Sequence, residues 1–222
     1  GYWQNTTSLF DHASAVTENN YVALTYLARE MQRSGKPEAA IEDLTRAVET
    51  EPSYEMAQFT LGALLADSGR FGEAVGHLQL VARMEPGSAD ANARLGAALA
   101  GSGDLNGASY YLQRALEIDP SYAPGLVGAA DVFARQDRLS DAIAYYLRAL
   151  DVIDDMIGRN PNRDRAAGLE ADVDCRLATV MAKAGNQADA AAYFKKALEL
   201  VPAYPKATDG LRSLSQESEE RP

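Results

Sequence analysis

The residues that most often carry out chemistry are few and scattered in this chain of 222 residues. His12 and His77 lie far apart, and Cys175 is the only cysteine. A thiol nucleophile needs a base close to it, and a metal ion needs several ligands at short spacing; the sequence offers neither. The adjacent carboxylates Asp154 and Asp155 are more typical of a solvated helix face than of an acid–base pair. The sequence therefore predicts no catalytic residue, no metal site and no cofactor, and we expect a protein that is not an enzyme.

The overall charge narrows the classes of partner. The formal net charge is -11 at pH 7. Nucleic acids and anionic membrane surfaces both attract clustered Lys and Arg side chains, so an acidic chain is a poor candidate for either. No stretch of 18 or more apolar residues is present, so we expect no direct insertion into a membrane by this chain. A protein or peptide partner remains, and the oligomeric state is left open.

The elements that must position any site follow from columns of residues that recur every 34 positions. The columns are Gly35, Gly69 and Gly103; Ala40, Ala74, Ala108 and Ala142; and Pro52, Pro86 and Pro120. Within each period, apolar residues recur twice at helical spacing. The glycine is suited to end the first helix in a left-handed cap, and the proline stops the second helix. The pattern predicts an all-α array of stacked antiparallel helix hairpins.

The period, the small-residue columns and the proline column resemble those of the tetratricopeptide repeat. The resemblance implies an α-solenoid, a superhelix of stacked hairpins whose function is to bind another polypeptide. We expect a half repeat with a single helix in 1–20 and five units in 21–204. The fourth unit, 123–170, is expanded by 14 residues. We further expect a capping helix in 205–214 and a disordered tail in 215–222.

The 14 added residues fall around Asn160-Pro161, which is a turn signal. Shared equally, they give about seven residues to each flanking helix, or about two turns, which preserves the face that points inward. The sequence therefore predicts a long hairpin rather than an irregular loop. Two meanings stay open: a neutral elongation, or a projection specific to one partner.

The resemblance also implies where a partner binds. In such repeats the first helix of each unit lines a concave groove, mainly through its second, fifth, ninth, twelfth and often thirteenth residues. The corresponding candidates are Val22, Thr25, Arg29, Gln32, Arg33, Met56, Phe59, Ala63, Ala66, Asp67, Asp90, Ala93, Ala97, Val127, Asp131 and Arg135. We expect a groove that is small and apolar at its centre, with Phe59 as its large aromatic residue, and that accepts a helix or an extended peptide. No ninth residue is Asn, which argues against a clamp for a terminal carboxylate.

The opening segment has a narrower resemblance. Tyr2, Trp3, Thr6, Leu9 and Phe10 resemble a junction in multi-spanning membrane glycosyltransferases of the dolichyl-phosphate-mannose-dependent O-mannosyltransferase group and its bacterial relatives. Those proteins end in tetratricopeptide repeats. The likeness implies a soluble C-terminal domain on the periplasmic or lumenal side of a membrane, with membrane spans upstream of residue 1. The alternative is a free-standing scaffold in the cytoplasm or periplasm, used in envelope or secretion assembly.

Overall fold

The structure is a computed structural model that describes residues 20–159 and 163–220. Within these ranges the chain forms α-helices and no strand, which confirms the predicted all-α fold class. The predicted half repeat in 1–20 lies outside the described residues, except for Asn20. The helices are α1 (Tyr21–Arg33), α2 (Pro37–Thr50), α3 (Glu55–Asp67), α4 (Phe71–Met84), α5 (Ala89–Ser102), α6 (Leu105–Ile118), α7 (Ala123–Arg135), α8 (Leu139–Arg159), α9 (Arg163–Lys183), α10 (Gln187–Leu200) and α11 (Pro205–Glu220).

Tight turns join the two helices of each hairpin through one residue in the left-handed backbone region. Gly35, Gly69, Gly103 and Gly185 adopt φ values of 71°, 76°, 97° and 88°. Asp137 takes the same role in the turn between α7 and α8, with φ of 61°. Aspartate is among the few residues that tolerate this conformation. The turn therefore forms even though Asp137 replaces glycine at this position.

Small residues let neighbouring helices approach one another closely. A Cβ atom added to Gly62 of α3 would lie 2.7 Å from Leu78 Cγ of α4. A Cβ atom added to Gly128 of α7 would lie 2.6 Å from Leu112 Cδ2 of α6. Both distances are shorter than any relaxed carbon–carbon contact, so glycine fits these crossings because it has no side chain.

The chain divides into two compact units, whose boundary falls inside α6. The N-terminal unit ends at Tyr111, and the C-terminal unit begins at Leu112. Each unit has its own buried core. That of the N-terminal unit includes Leu24, Leu44, Leu61, Leu78 and Leu95. That of the C-terminal unit includes Leu126, Tyr146, Ile153, Leu177 and Phe194.

Two long helices occupy the expanded part of the repeat pattern. Both α8 and α9 contain 21 residues, whereas α2 contains 14. They pack against each other, and Leu150 and Ile153 of α8 are buried in the core. The added length therefore extends two helices. The α9 helix runs without a break across the expected unit boundary between Glu170 and Ala171, because no proline interrupts it there.

The C-terminal helix is longer than the sequence pattern predicts. The expected cap ends at Leu214, but α11 continues to Glu220. The helix therefore extends into the segment for which the sequence predicts a disordered tail. No proline or glycine follows Gly210 within the helix, and the Ser215 hydroxyl donates to the Leu211 carbonyl at 3.0 Å. Of the helices in the described ranges, not one combines the length and the apolar character needed to cross a bilayer.

Candidate functional site

Four side chains form a row across three neighbouring first helices of the N-terminal unit, α1, α3 and α5. Arg29 Nη1 lies 4.0 Å from Met56 Sδ. Phe59 follows Met56 by about one turn of α3, and Arg94 Cζ of α5 lies 5.0 Å from the centroid of the Phe59 ring. A guanidinium at this distance is attracted by the electron-rich face of the ring. We call these four residues the arginine–aromatic row.

The two guanidinium groups of the row differ in their partners. Arg94 Nε donates to Asp90 Oδ1 at 3.0 Å, a pair within one helix. Among the ion pairs of the described residues, none includes Arg29. Met56 is exposed and Phe59 is partly exposed. The row therefore combines accessible apolar surface with a cationic group whose contact in the row is a thioether.

Most of the other predicted groove residues of this unit reach the surface. Val22, Ala63, Ala66 and Asp90 are partly exposed, and Gln32, Arg33, Asp67 and Ala97 are exposed; Arg33 is paired with Glu30. The small side chains among them leave open space beside the arginine–aromatic row.

Two predicted groove residues are buried and are corrected here. Thr25 is fully buried, and its hydroxyl donates to the Tyr21 carbonyl at 2.7 Å. Ala93 is also buried. Both hold the fifth position of their units, where the bulky Phe59 reaches the surface. A short side chain at this position stays beneath its neighbours, so neither residue can touch a ligand in this structure.

Asp131 of the C-terminal unit, predicted to face a partner, is occupied by contacts within the chain. Tyr146 of α8 donates its hydroxyl to Asp131 Oδ1, and Arg176 Nη1 of α9 lies 2.6 Å from Asp131 Oδ2. Both carboxylate oxygens therefore have partners. Burial, followed by the nearby Asp131 carboxylate, raises the pKa of the Tyr146 hydroxyl. These contacts tie three helices together, and the role of Asp131 toward a partner stays a prediction.

The same network continues to Asp172 of α9. Arg176 Nε donates to Asp172 Oδ2 at 2.7 Å, and Tyr204 Oη and Lys206 Nζ each donate to Asp172 Oδ1 at 2.8 Å. Burial alone would raise the pKa of Asp172, but the hydrogen bonds from Lys206, Tyr204 and Arg176 outweigh it and hold the pKa at about 2. We call Asp131, Asp172 and their donors the carboxylate network.

Two further predicted groove residues lie in the C-terminal unit. Val127 is partly buried against the core, and Arg135 is exposed. Sequence reasoning missed the contact of Arg94 with Phe59 and the contacts of Arg176 with Asp131 and Asp172. Both arginines hold the sixth position of their units, beside the positions considered. A signal was present: a long cationic side chain next to an inward-facing fifth residue can reach across to a neighbouring helix.

His77 and Cys175, the described residues whose side chains most often carry out chemistry, are packed within the fold. His77 Nδ1 lies 2.7 Å from Gln58 Oε1 between α3 and α4, and burial lowers the pKa of His77. Cys175 is buried, and burial raises the pKa of its thiol to about 11, so it is protonated at neutral pH. His12 lies outside the described residues. Within the described ranges, no group of three His, Cys, Asp or Glu residues is placed to hold a metal ion.

Comparison with sequence families finds one model that matches part of the chain. The tetratricopeptide repeat model matches two overlapping stretches, 27–88 and 59–123. No curated protein matches the chain in sequence. The matched stretches include all four residues of the arginine–aromatic row.

Solved structures share the fold over most of the chain. A thermophilic TPR protein from Thermus thermophilus is 20% identical with a TM-score of 0.70, covering 88% of this chain and 99% of that one. PilF of Pseudomonas aeruginosa is 16% identical with a TM-score of 0.64, covering 94% and 86%. YrrB, described as a TPR protein with an unusual peptide-binding site, is 18% identical with a TM-score of 0.59, covering 93% and 100%. Identities this low establish a shared fold alone.

Proposed function

We propose that this chain, an all-α solenoid of tetratricopeptide repeats, is a protein-interaction module that binds a peptide or helix of a partner through the arginine–aromatic row. The observation that carries the proposal is the row itself. It places an exposed thioether and an aromatic ring of α3 between guanidinium groups of α1 and α5. Interaction sites are typically enriched in aromatic residues, Met and Arg.

The chemistry of the row indicates what a ligand presents. An apolar side chain of the ligand would pack on Met56 and Phe59, with the small Ala63 and Ala97 leaving room for its backbone. A carboxylate of the ligand would pair with Arg29, since a charge-assisted hydrogen bond to a guanidinium is stronger than a neutral one. YrrB offers a precedent for peptide binding on this fold. The expected ligand is a peptide with an acidic residue near an apolar one.

A peptide selection tests the proposal. Random short peptides displayed on phage are selected on the wild-type chain, and the affinity of an enriched synthetic peptide is measured by isothermal titration calorimetry. We expect Phe59→Ala and Arg29→Ala each to weaken binding about tenfold or more. The matched control is Tyr110→Ala, which removes an exposed aromatic ring from α6 in the same unit. Unchanged affinity in both row variants would refute the assignment.

A second proposal concerns the larger protein to which this module belongs. We propose that it is the soluble C-terminal domain of a membrane glycosyltransferase-like protein, on the periplasmic or lumenal side, where it presents substrate or recruits a partner. Support comes from the resemblance of Tyr2, Trp3, Thr6, Leu9 and Phe10, which lie outside the described residues. The alternative is a free-standing scaffold in envelope or secretion assembly. Membrane spans encoded upstream of Gly1 favour the first proposal, and a start codon directly before Gly1 contradicts it.

We propose no catalytic function for this chain. Tetratricopeptide repeat proteins are in general scaffolds rather than enzymes, and the thiol of Cys175 is buried and protonated at neutral pH. We propose that any reaction linked to this chain is carried out by the protein to which it binds or is attached. Transferase or hydrolase activity of the isolated chain would contradict this.

A further inference from the structure

A pocket of about 520 Å³ lies beside the long hairpin, between α8, α9 and α10 of the C-terminal unit. Its walls combine apolar and acidic side chains. They include Asp154 and Ile157 of α8, Ala167 and Glu170 of α9, and Glu199 and Leu200 of α10. Helices α8 and α9 reach this region because each is seven residues longer than α2. We call this site the hairpin pocket.

Among the described side chains at the hairpin pocket, the carboxylates outnumber the cationic groups. Lys196 Nζ of α10 lies 2.7 Å from Glu170 Oε1 and 3.5 Å from Asp174 Oδ2. Glu170 is 6% exposed and Asp174 is 0% exposed. Neither oxygen of Asp174 has a hydrogen-bond partner among the described residues, and Asp174 lies one turn of α9 beyond Glu170. One ammonium therefore serves two buried carboxylates.

A third carboxylate meets this pair from the opposite helix. Asp154 of α8 lines the same pocket as Glu170. Burial, followed by the charge of Glu170, raises the pKa of Asp154, and burial raises the pKa of Asp174 to about 6. Carboxylates grouped in this way repel one another when ionised, and uptake of a proton or a nearby cation relieves the repulsion. Among the side chains that the structure describes there, the cationic groups therefore do not balance the carboxylates.

We propose that the hairpin pocket binds a lysine or arginine side chain of a partner protein. The apolar walls formed by Ile157, Ala167 and Leu200 suit the methylene stem of such a side chain. Glu170 and Asp154 accept hydrogen bonds from its cationic head, and charge-assisted bonds of this kind are the strong ones. A bare metal ion is a poorer occupant, because no metal-binding group is present in the described ranges.

Exposed apolar side chains on the hairpin extend the surface available to such a partner. Met156 of α8 is 57% exposed, and Leu169 of α9 is 46% exposed. Met156 directly precedes the pocket residue Ile157, and Leu169 directly precedes the pocket residue Glu170. A partner segment with a basic residue followed by an apolar one could use the pocket and this surface together. The added helix length is thereby assigned a binding role beyond that of the arginine–aromatic row.

Model compounds test the proposal on the full chain. N-acetyl-lysine methylamide and N-acetyl-arginine methylamide are titrated into the ¹⁵N-labelled protein, with the neutral N-acetyl-norleucine methylamide as the matched probe. We expect saturable amide shifts at Gly158, Ala167 and Leu200 with both cationic probes and none with norleucine. The shifts should weaken as salt is added, because ionic attraction is screened. Equal shifts with norleucine would overturn the proposal.

Charge-neutralising variants complete the test. Glu170→Gln and Asp154→Asn keep side-chain shape, and each is expected to weaken binding of the lysine probe about fivefold or more, since a charge-assisted bond is lost. Glu117→Gln, which neutralises an exposed acid on α6, is the control and should bind as wild type. Unchanged binding in both pocket variants, with circular dichroism showing a native fold, would overturn the proposal. Phe59→Ala should bind the lysine probe normally, which separates this test from that of the arginine–aromatic row.

Discussion

Arg176 Nη1 lies 2.6 Å from Asp131 Oδ2 and joins the first helices of two successive hairpins in the C-terminal unit. The repeat pattern places Asp131 on the correct helix for a ligand-facing residue. The carboxylate is nevertheless used within the chain, because Arg176 and Tyr146 occupy its oxygens. The two units therefore differ. The N-terminal unit has the accessible arginine–aromatic row, and the C-terminal unit has the carboxylate network, whose charged groups are paired with one another.

Replacement of Asp131 tests the structural role of the carboxylate network. Asp131→Ala leaves the Tyr146 hydroxyl buried without this acceptor and removes one of the two carboxylates at Arg176. We expect the free energy of unfolding to fall by about 1–3 kcal/mol. The control is Asp141→Ala, which breaks an exposed pair with Arg138 and should cost under about 1 kcal/mol. Urea unfolding followed by circular dichroism gives both values, and equal losses would contradict the role assigned to Asp131.

The low pKa of Asp172 predicts an acid-sensitive contribution to stability. The folded-state pKa is about 2, below the unfolded value of about 3.9, so the ionised form is stabilised by folding. This contribution is complete above about pH 5 and is lost as the pH falls toward about 2. Asp172→Asn should therefore have a lower free energy of unfolding than wild type at pH 7, and this difference should disappear as the pH falls. A difference in the free energy of unfolding that stays constant from pH 7 to pH 2 would contradict the low pKa of Asp172.

Asp174 predicts the opposite pH dependence. Its folded-state pKa is about 6, above the unfolded value, so its ionised form is disfavoured by folding. The penalty is full above about pH 7 and is relieved as the pH falls through 6 toward 4. Wild type should gain stability over this range, on the order of 1 kcal/mol after allowing for screening, relative to Asp174→Asn. Thermal unfolding of both proteins at several pH values measures the difference, and parallel curves would contradict it.

Two glycines in one hairpin test how closely its helices pack. Gly62→Ala would place a Cβ atom 2.7 Å from Leu78 Cγ, and we expect a loss of about 1–3 kcal/mol. Gly76 of α4 has no neighbouring atom within 4 Å of an added Cβ. Gly76→Ala should therefore stabilise the helix by about 0.5–1 kcal/mol. Thermal unfolding distinguishes the variants, and a Gly62→Ala protein as stable as wild type would show that the crossing tolerates a side chain.

Particular residues show how far sequence reasoning reaches in this chain. The period of 34 predicts hairpins because it records helix-ending glycines and prolines, and Gly35 adopts the left-handed turn it indicates. It does not predict the burial of Thr25, because a short side chain at a groove position can be covered by its neighbours. Nor does it predict the pairing of Tyr146 with Asp131, since that contact depends on how α7 and α8 are rotated against each other.

The repeat pattern likewise does not predict the full length of α11 or the presence of the hairpin pocket. A polar segment such as that after Leu214 remains helical when nothing breaks it, and polarity alone indicated disorder. The pocket combines Asp154, Glu170 and Glu199 from three helices, and their proximity follows from packing rather than from spacing. Sequence periodicity therefore locates elements, whereas the charges that meet between elements require the structure.

The location of a bound peptide tests the central claim most directly. A peptide selected on the wild-type chain is titrated into ¹⁵N-labelled protein, and amide shift changes are mapped by nuclear magnetic resonance. We predict that the largest changes cluster at Arg29, Met56, Phe59 and Ala97 on α1, α3 and α5. Changes confined to the second helices α2 and α4, or to the C-terminal unit, would contradict the claim that the arginine–aromatic row is the binding site.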